Sequence, residues 1–121
     1  MRLTYKIWLD NNGKAFGEGP YELLARVERT GSLNGAAAGM GMSYNKAWRL
    51  IRTLEARLGF PLLVRRVGGA AGGGSQLTPQ ARWLMQQYVA LREDVQKTLA
   101  QLYEKHFQGM SFENGKTGND Y

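Results

Sequence analysis

Residues 43–58, SYNKAWRLIRTLEARL, constrain the fold of this chain more than any other segment. Ser43 suits a helix N-cap, because its hydroxyl accepts hydrogen bonds from backbone N–H groups of the first turn. Apolar residues then recur at the three- and four-residue spacing of a helix, and the other side is polar and basic. The segment therefore predicts an amphipathic helix with one face buried and a hydrogen-bonding face in solvent. The predicted buried stripe is Ala47, Ile51, Leu54 and Leu58.

Positive charge is concentrated in and just after this helix. The chain of 121 residues carries a formal charge of +6, from 16 basic and 10 acidic side chains. Residues 43–66 hold six of the basic side chains against a single acidic one, Glu55, so the rest of the chain is nearly balanced. Such a cluster favours a polyanionic partner, because neutralising phosphates releases condensed counterions. Charge alone leaves open the alternative of an ordinary solvated face.

Composition excludes several classes of function. The chain has no cysteine, and its one histidine, His106, cannot make a metal site by itself. Because the acidic residues are scattered, we expect neither an enzyme nor a cofactor. No apolar run approaches the ~20 residues of a membrane span, and the N-terminus lacks a signal-peptide core. We therefore expect a soluble, cytoplasmic protein without membrane contact.

The N-terminal part of the sequence predicts one strand and one helix. Residues 3–10 alternate apolar and polar side chains before an Asn-Asn-Gly turn, which predicts a half-buried strand. A first helix is predicted over about residues 20–30, and Gly31 is suited to end it in a left-handed conformation.

The next segment predicts a helix-turn-helix motif over about residues 32–58. Ser32 is suited to cap a short helix over residues 33–39, whose three consecutive alanines allow another helix to cross at close range. A glycine-containing connection follows, over residues 39–42, and leads directly into the amphipathic helix. Two helices joined in this way are typical of the motif.

The sequence after the amphipathic helix predicts a β-hairpin. Residues 62–67 and 76–78 predict two strands, and the segment between them, GGAAGGGS, is too rich in glycine to pack. A hairpin at this position is the wing of a winged helix-turn-helix, so we assign the DNA-binding domain to residues 1–79. A glycine-rich phosphate loop is the rival interpretation, but the segment lacks the G-x-x-x-x-G-K-[ST] order.

The C-terminal part predicts one long helix over residues 80–107, capped by Thr78. Its length would be on the order of 40 Å, more than so small a domain covers. Apolar residues recur along one side of this helix, and this apolar seam therefore predicts dimerisation with a second copy of the chain. The alternative is that the whole seam packs against its own domain. Residues 108–121 predict a flexible tail. The predicted dimerisation residues are Leu84, Tyr88, Leu91, Val95, Leu99 and Leu102.

Candidate DNA contacts come from the amphipathic helix and the wing. In the major groove, the first two turns of a recognition helix reach base edges, where Asn45 suits adenine and Lys46 or Arg49 suits guanine. Strand alternation predicts that one of the two wing arginines faces DNA. Trp48 could stack on the sugar-phosphate edge of DNA or pack beneath the wing, and we expect the packing role. The full candidate set is Ser43, Tyr44, Asn45, Lys46, Arg49, Arg52, Arg65 and Arg66.

The run GSLNGAAAGMGMSYNKAWRLIRTLEARLGFPLLVRR resembles the N-terminal helix-turn-helix shared by LysR-type regulators and the molybdate-responsive ModE regulators of bacteria. Ser43-Tyr44 followed by Ala47-Trp48, a wing of the form GG-x-x-GGG-x-x-LT and a strand before the first helix make it more similar to ModE. The resemblance covers about residues 3–102.

The resemblance implies a winged helix-turn-helix, mainly α with a small β component. It also implies a homodimer that controls transcription at an inverted-repeat operator in double-stranded DNA. ModE regulators bind molybdate through C-terminal domains, and this chain stops where those would begin. We therefore expect no molybdate binding, and either a stand-alone homologue or an excised domain. The rival function is a dimeric protein-interaction module without DNA readout.

Overall fold

The computed structural model describes residues 1–66 and 74–109, so the tip of the predicted wing and the tail from residue 110 lie outside the described residues. The elements in chain order are β1 (Leu9–Asp10), β2 (Lys14–Phe16), α1 (Glu18–Thr30), α2 (Leu33–Gly39), α3 (Tyr44–Leu58), β3 (Leu63–Arg66), β4 (Gly74–Leu77) and α4 (Pro79–Phe107). β1 pairs with β2, and β3 with β4, both antiparallel. The predicted fold class is confirmed. No helix in the described ranges is both long and apolar enough to cross a membrane.

Helix boundaries follow the capping residues that the sequence predicts. Ser43 Oγ accepts a hydrogen bond from the backbone N–H three residues further on, at 3.1 Å. Ser32 and Thr78 make the same contact at the starts of α2 and α4. α1 and α3 end at Gly31 and Gly59, whose positive φ angles of 72° and 88° carry no Cβ penalty in glycine. Local sequence therefore determines where these helices begin and end.

The core is enclosed by α1, α2, α3 and the first third of α4. Ala47, Ile51 and Leu54 on α3 are at most 2% exposed, which confirms most of the predicted stripe, and Leu58 is half-buried. Two buried alanines of α2 separate α1 from α3 with little side-chain volume. Removing this apolar surface from water, at roughly 25 cal/mol per Å², is what fixes the orientation of α3. The polar face of α3 is thereby directed to solvent.

The N-terminal strand is shorter than the predicted residues 3–10. β1 contains two residues, and residues 1–8 have no regular structure. The reason is that β2 ends at Phe16 and α1 begins at Glu18. No further strand residues follow Phe16 with which residues 3–8 could pair. The Ile7 carbonyl instead accepts a hydrogen bond from the Tyr88 hydroxyl at 3.0 Å, while Leu3 stays 47% exposed.

The long helix divides into a packed part and a projecting part. Two of the predicted dimerisation residues, Leu84 and Tyr88, are instead buried in their own domain at 5% and 2% exposure, so their side chains belong to the core of the domain. The Tyr88 ring meets Phe16 edge to face, with centroids 5.4 Å apart. Arg92 forms an ion pair with Glu18 at 2.8 Å and is the last α4 side chain that bonds another element in the described part of the chain. The helix beyond it extends for about 22 Å.

The environment of Tyr88 leads us to expect that the free energy of unfolding depends on pH in the alkaline range. Burial, together with the nearby Glu18 carboxylate, raises the pKa of Tyr88 above its usual 10.0. The unfolded chain then releases the phenol proton at lower pH than the folded chain, so this stabilisation is complete below pH 10 and is lost as pH rises through the folded pKa. We expect the free energy of unfolding to fall more steeply above pH 10 in the wild type than in Tyr88→Phe. Urea titrations over an alkaline pH series measure this, with the exposed Tyr5→Phe as control. Parallel curves for wild type and Tyr88→Phe would contradict it.

Glu55 connects α3 to the wing through hydrogen bonds, and we expect its substitution to lower the stability of the domain. Its carboxylate accepts hydrogen bonds from the backbone N–H groups of Leu62 at 2.7 Å and Leu63 at 3.3 Å. We expect Glu55→Ala to lower the free energy of unfolding by about 1–3 kcal/mol, because two backbone donors lose a charged acceptor. Glu55→Gln keeps an acceptor and should lose less. Urea denaturation measures both, and Glu104→Ala on the projecting part of α4 is the control. A Glu55→Ala value equal to that of the control would refute the role.

Candidate nucleic-acid interface

The outward face of α3 is polar, basic and exposed. Asn45, Lys46, Arg49 and Arg52 all lie on it with exposed side chains, as predicted. The four ion pairs in the described residues all involve α1, either within itself or with α4, and none includes a side chain of α3. Within the described ranges, no acidic side chain is therefore paired with the cationic groups of this face, where it would compete with an anionic ligand.

Three side chains of α3, one turn apart, form a column on the flank that faces the wing. The rings of Tyr44 and Trp48 meet at 90° with centroids 6.3 Å apart, and Trp48 Nε1 donates a hydrogen bond to the Tyr44 hydroxyl. The Arg52 guanidinium lies over the Trp48 ring, 5.4 Å from its centroid. Side chains four residues apart share a helix face, which explains the alignment. We call these three residues the aromatic column.

Trp48 contributes to the core and to the surface. It is half-buried against the core, in agreement with the predicted packing role. Its ring also lines a groove of about 580 Å³ between α3 and the wing. Four-residue spacing explains why Tyr44, Trp48 and Arg52 share one flank of α3, but the hydrogen bond and the cation–π contact depend on rotamers that spacing does not specify. The groove is lined by Tyr44, Trp48, Arg49, Arg52, Thr53 and Arg65.

The two wing arginines face different ways, as strand alternation predicts. Pairing of β3 with β4 sets Arg65 opposite Ser75 and Arg66 opposite Gly74. Arg65 lines the groove beside α3, and also a second groove of about 430 Å³ that reaches the start of α2. Arg66 is directed to the end of α1, where a Cβ on Gly31 would lie 3.0 Å from its Nη2. The structure therefore brings Arg65, and not Arg66, beside the exposed face of α3.

The wing is held against α1 by close backbone contact. The backbone N–H of Ser75 donates to the Gly31 carbonyl at 2.9 Å. A Cβ on Gly74 would lie 2.5 Å from that same carbonyl oxygen, so only glycine fits there. This contact positions Arg65, whereas the glycine-rich sequence around Gly74 indicates only a hairpin tip.

Arg57 has a structural role at the C-terminal end of α3. Its guanidinium donates to the Lys14 carbonyl at 2.8 Å, and its own carbonyl accepts from the Asn11 side-chain amide at 2.7 Å. Gly13 lies at φ 124°, and a Cβ there would come within 2.5 Å of the Arg57 guanidinium carbon. The hairpin of β1 and β2 therefore closes over the end of α3. No sequence pattern indicates this contact, because the partners are 43 and 46 positions apart.

A helix-turn-helix made by α2 and α3, a β-hairpin wing and an exposed basic face on the second helix together define the winged helix-turn-helix class. The model of the bacterial regulatory helix-turn-helix proteins of the lysR family matches residues 21–82, from α1 to the start of α4. The chain belongs to this family.

Individual relatives agree with the predicted resemblance. The molybdenum transport protein ModE of Azotobacter vinelandii is 38% identical over 105 residues, which cover 86% of this chain and 39% of that protein. The DNA-binding transcriptional dual regulator ModE of Escherichia coli K12 is 33% identical over 89 residues, which cover 74% of this chain and 31% of that protein. The chain thus spans two fifths or less of the length of these curated relatives.

A solved structure shows the same fold. The crystal structure of the CbnR_DBD–DNA complex matches with a TM-score of 0.50 at 23% identity, covering 64% of this chain and 84% of that one. The sequence-based resemblance to both LysR-type and ModE regulators is confirmed.

Proposed function

We propose that this chain is a sequence-specific, double-stranded-DNA-binding transcriptional regulator that acts in the cytoplasm as a homodimer on an inverted-repeat operator. The observation that carries the proposal is the exposed face of α3, where Asn45, Lys46, Arg49 and Arg52 converge without an acidic partner among the described residues. A protein-interaction module has no physical need for such a face. Family membership and the DNA-binding regulator among the relatives support the same function.

Residues on α3 divide into base-reading and backbone-binding groups. Asn45 and Arg49 lie one turn apart at the centre of the outward face, directly opposite the buried stripe, and are our candidates for reading adenine and guanine. Lys46 lies on the flank away from the wing and is a second candidate for guanine. Ser43 and Tyr44, at the start of the helix, are candidates for phosphate, where the helix dipole favours an anion.

We expect the wing to contact the DNA backbone through Arg65. We expect Arg65→Ala to weaken binding to operator and scrambled duplex alike, about 3- to 10-fold, and to reduce the salt slope by about 1, because a phosphate contact carries no sequence information. Arg66→Ala is the matched control, since Arg66 is adjacent but faces α1. Fluorescence anisotropy across a salt series measures both. A larger effect of Arg66→Ala would show that the assignment of the two arginines is reversed.

The projecting part of α4 supports the proposed homodimer. Leu91 and Leu102 are 41% and 42% exposed, and Val95 and Leu99 lie on the same side of the helix between them. A second copy packed along this stripe would remove the exposed apolar surface from water. Two-fold symmetry would then place the two copies of α3 so that each reaches one half-site, with the half-sites about one helical turn of DNA apart.

Selection of duplexes from a random pool tests the proposed function directly. We expect a palindromic consensus, with binding that weakens steeply as salt rises because phosphate contacts release counterions. The consensus duplex and a scrambled duplex of the same composition are then compared by anisotropy. Failure to enrich any sequence, with affinity independent of salt, would favour the protein-interaction module instead.

A further inference from the structure

We propose that Trp48 is a positioning residue that fixes the Tyr44 hydroxyl and the Arg52 guanidinium as paired donors to one DNA backbone strand, which runs through the groove between α3 and the wing. The proposal rests on the proposed DNA-binding function and specifies how one part of that surface works. It assigns the exposed side of the aromatic column to phosphate binding, in addition to the packing of Trp48 against the core.

The first step concerns the hydrogen bond inside the column. Trp48 Nε1 has a single hydrogen and donates it to the Tyr44 oxygen. The Tyr44 hydroxyl therefore acts as acceptor, and its own hydrogen is directed elsewhere. Among the described residues it donates to no protein group, and Tyr44 as a whole is 38% exposed. A phosphate oxygen in the adjoining groove would complete a chain of hydrogen bonds, in which each bond polarises the next.

The second step concerns Arg52. Its guanidinium lies over the Trp48 ring at 5.4 Å, an attractive cation–π arrangement. Because that face of the indole is covered, it does not serve as a stacking platform for a base. A guanidinium held by the ring also loses less rotamer freedom when it binds phosphate. Trp48 thus acts through its two neighbours rather than on DNA.

The third step concerns the shape and charge of the groove. Arg52 and Tyr44 lie along its α3 side, and Arg65 of the wing lines the same groove. The arginine and phenol groups around this groove of about 580 Å³ are hydrogen-bond donors. No carboxylate is among the described residues that line the groove. Donors of this kind suit phosphate oxygens, which accept hydrogen bonds and carry the charge of a DNA strand.

A double-mutant cycle tests whether Trp48 acts through Tyr44. The variants are Tyr44→Phe, which removes the hydroxyl, Trp48→Phe, which removes the N–H donor, and the pair together. We expect each single variant to bind both the selected duplex and the scrambled duplex about 3- to 10-fold more weakly, and the double variant to lose less than the sum of the two single losses in free energy, because Tyr44→Phe already removes one of the two donors that Trp48 positions. Trp83→Phe, at an exposed tryptophan on α4, is the matched control and should bind as the wild type.

A spectroscopic measurement on the free protein keeps the test independent of DNA. In a Trp8→Phe/Trp83→Phe background, Trp48 is the only tryptophan, since the chain has three. We expect Tyr44→Phe to shift the Trp48 emission, because the indole N–H loses its acceptor, and to leave the free energy of unfolding close to that of the background.

The outcomes separate this proposal from the proposed function. Additive losses in the cycle, or an unchanged Trp48 emission in Tyr44→Phe, would overturn the positioning role even if operator binding is strong. A wild-type protein that binds no duplex overturns both the function and the backbone contact, whereas the emission shift would still establish the column as a structural unit.

Discussion

Replacing Leu102 with glutamate should convert the protein to a monomer and weaken operator binding by about 100-fold or more. Leu102 is 42% exposed on the projecting part of α4, beyond the last described side chain that bonds the rest of the domain. A charge in the proposed interface would have to be desolvated, so the interface should open while the domain remains folded. Each half-site contact then becomes a separate binding event, and avidity of 10²–10⁴ is typically lost with the linkage.

Analytical ultracentrifugation and anisotropy measure the two parts of this expectation. Ala100→Glu is the matched control, because it adds the same charge within the same turn on the opposite side of α4. The control should remain dimeric and retain operator affinity. A wild-type chain that is monomeric at tens of micromolar, a rough concentration for weak assembly, would refute dimerisation through α4. A dimer unaffected by Leu102→Glu would move the interface to another surface.

Replacing Arg49 with alanine should weaken binding to the selected operator by about 10- to 100-fold and change binding to scrambled duplex far less. A bidentate arginine–guanine pair contributes roughly 1–3 kcal/mol of discrimination, and each 1.4 kcal/mol is tenfold in affinity. Arg49 lies at the centre of the outward face, one turn after Asn45, where a recognition helix approaches base edges. The loss should therefore fall on sequence-specific binding.

Two comparisons sharpen the Arg49 experiment. Arg49→Lys keeps the charge but not the planar pair of donors, so it should retain most non-specific affinity and lose most of the specificity. Arg29→Ala removes an exposed arginine from α1, outside the interface, and serves as control. Equal losses on operator and scrambled duplex for Arg49→Ala would remove Arg49 from the base-reading group and assign it to the backbone.

Sequence alone determined the order of the four helices and the two wing strands and the face of α3 that meets solvent, but it did not indicate β2. Capping by Ser32, Ser43 and Thr78 and termination at Gly31 depend on neighbouring residues, so local patterns were sufficient to predict them. The apolar stripe likewise follows from helical spacing, and the candidate DNA-binding side chains of α3 share the opposite side for the same reason. Their assignment to DNA contacts stays a prediction.

Tertiary structure decided every feature that depends on residues far apart in the chain. Whether Tyr88 belongs to a dimer seam or to the core depends on where Phe16 and Ile7 lie, and spacing along α4 gives no information on that. The choice between Arg65 and Arg66 depends on the contact between the wing and Gly31.

Four-residue spacing places the members of the aromatic column on one side of α3, but the hydrogen bond and the cation–π contact that join them depend on their rotamers, and Trp48 is also packed against the core. Helical periodicity fixes the direction in which a side chain leaves its helix. It does not fix the neighbour that the side chain meets, because that neighbour is supplied by another part of the chain.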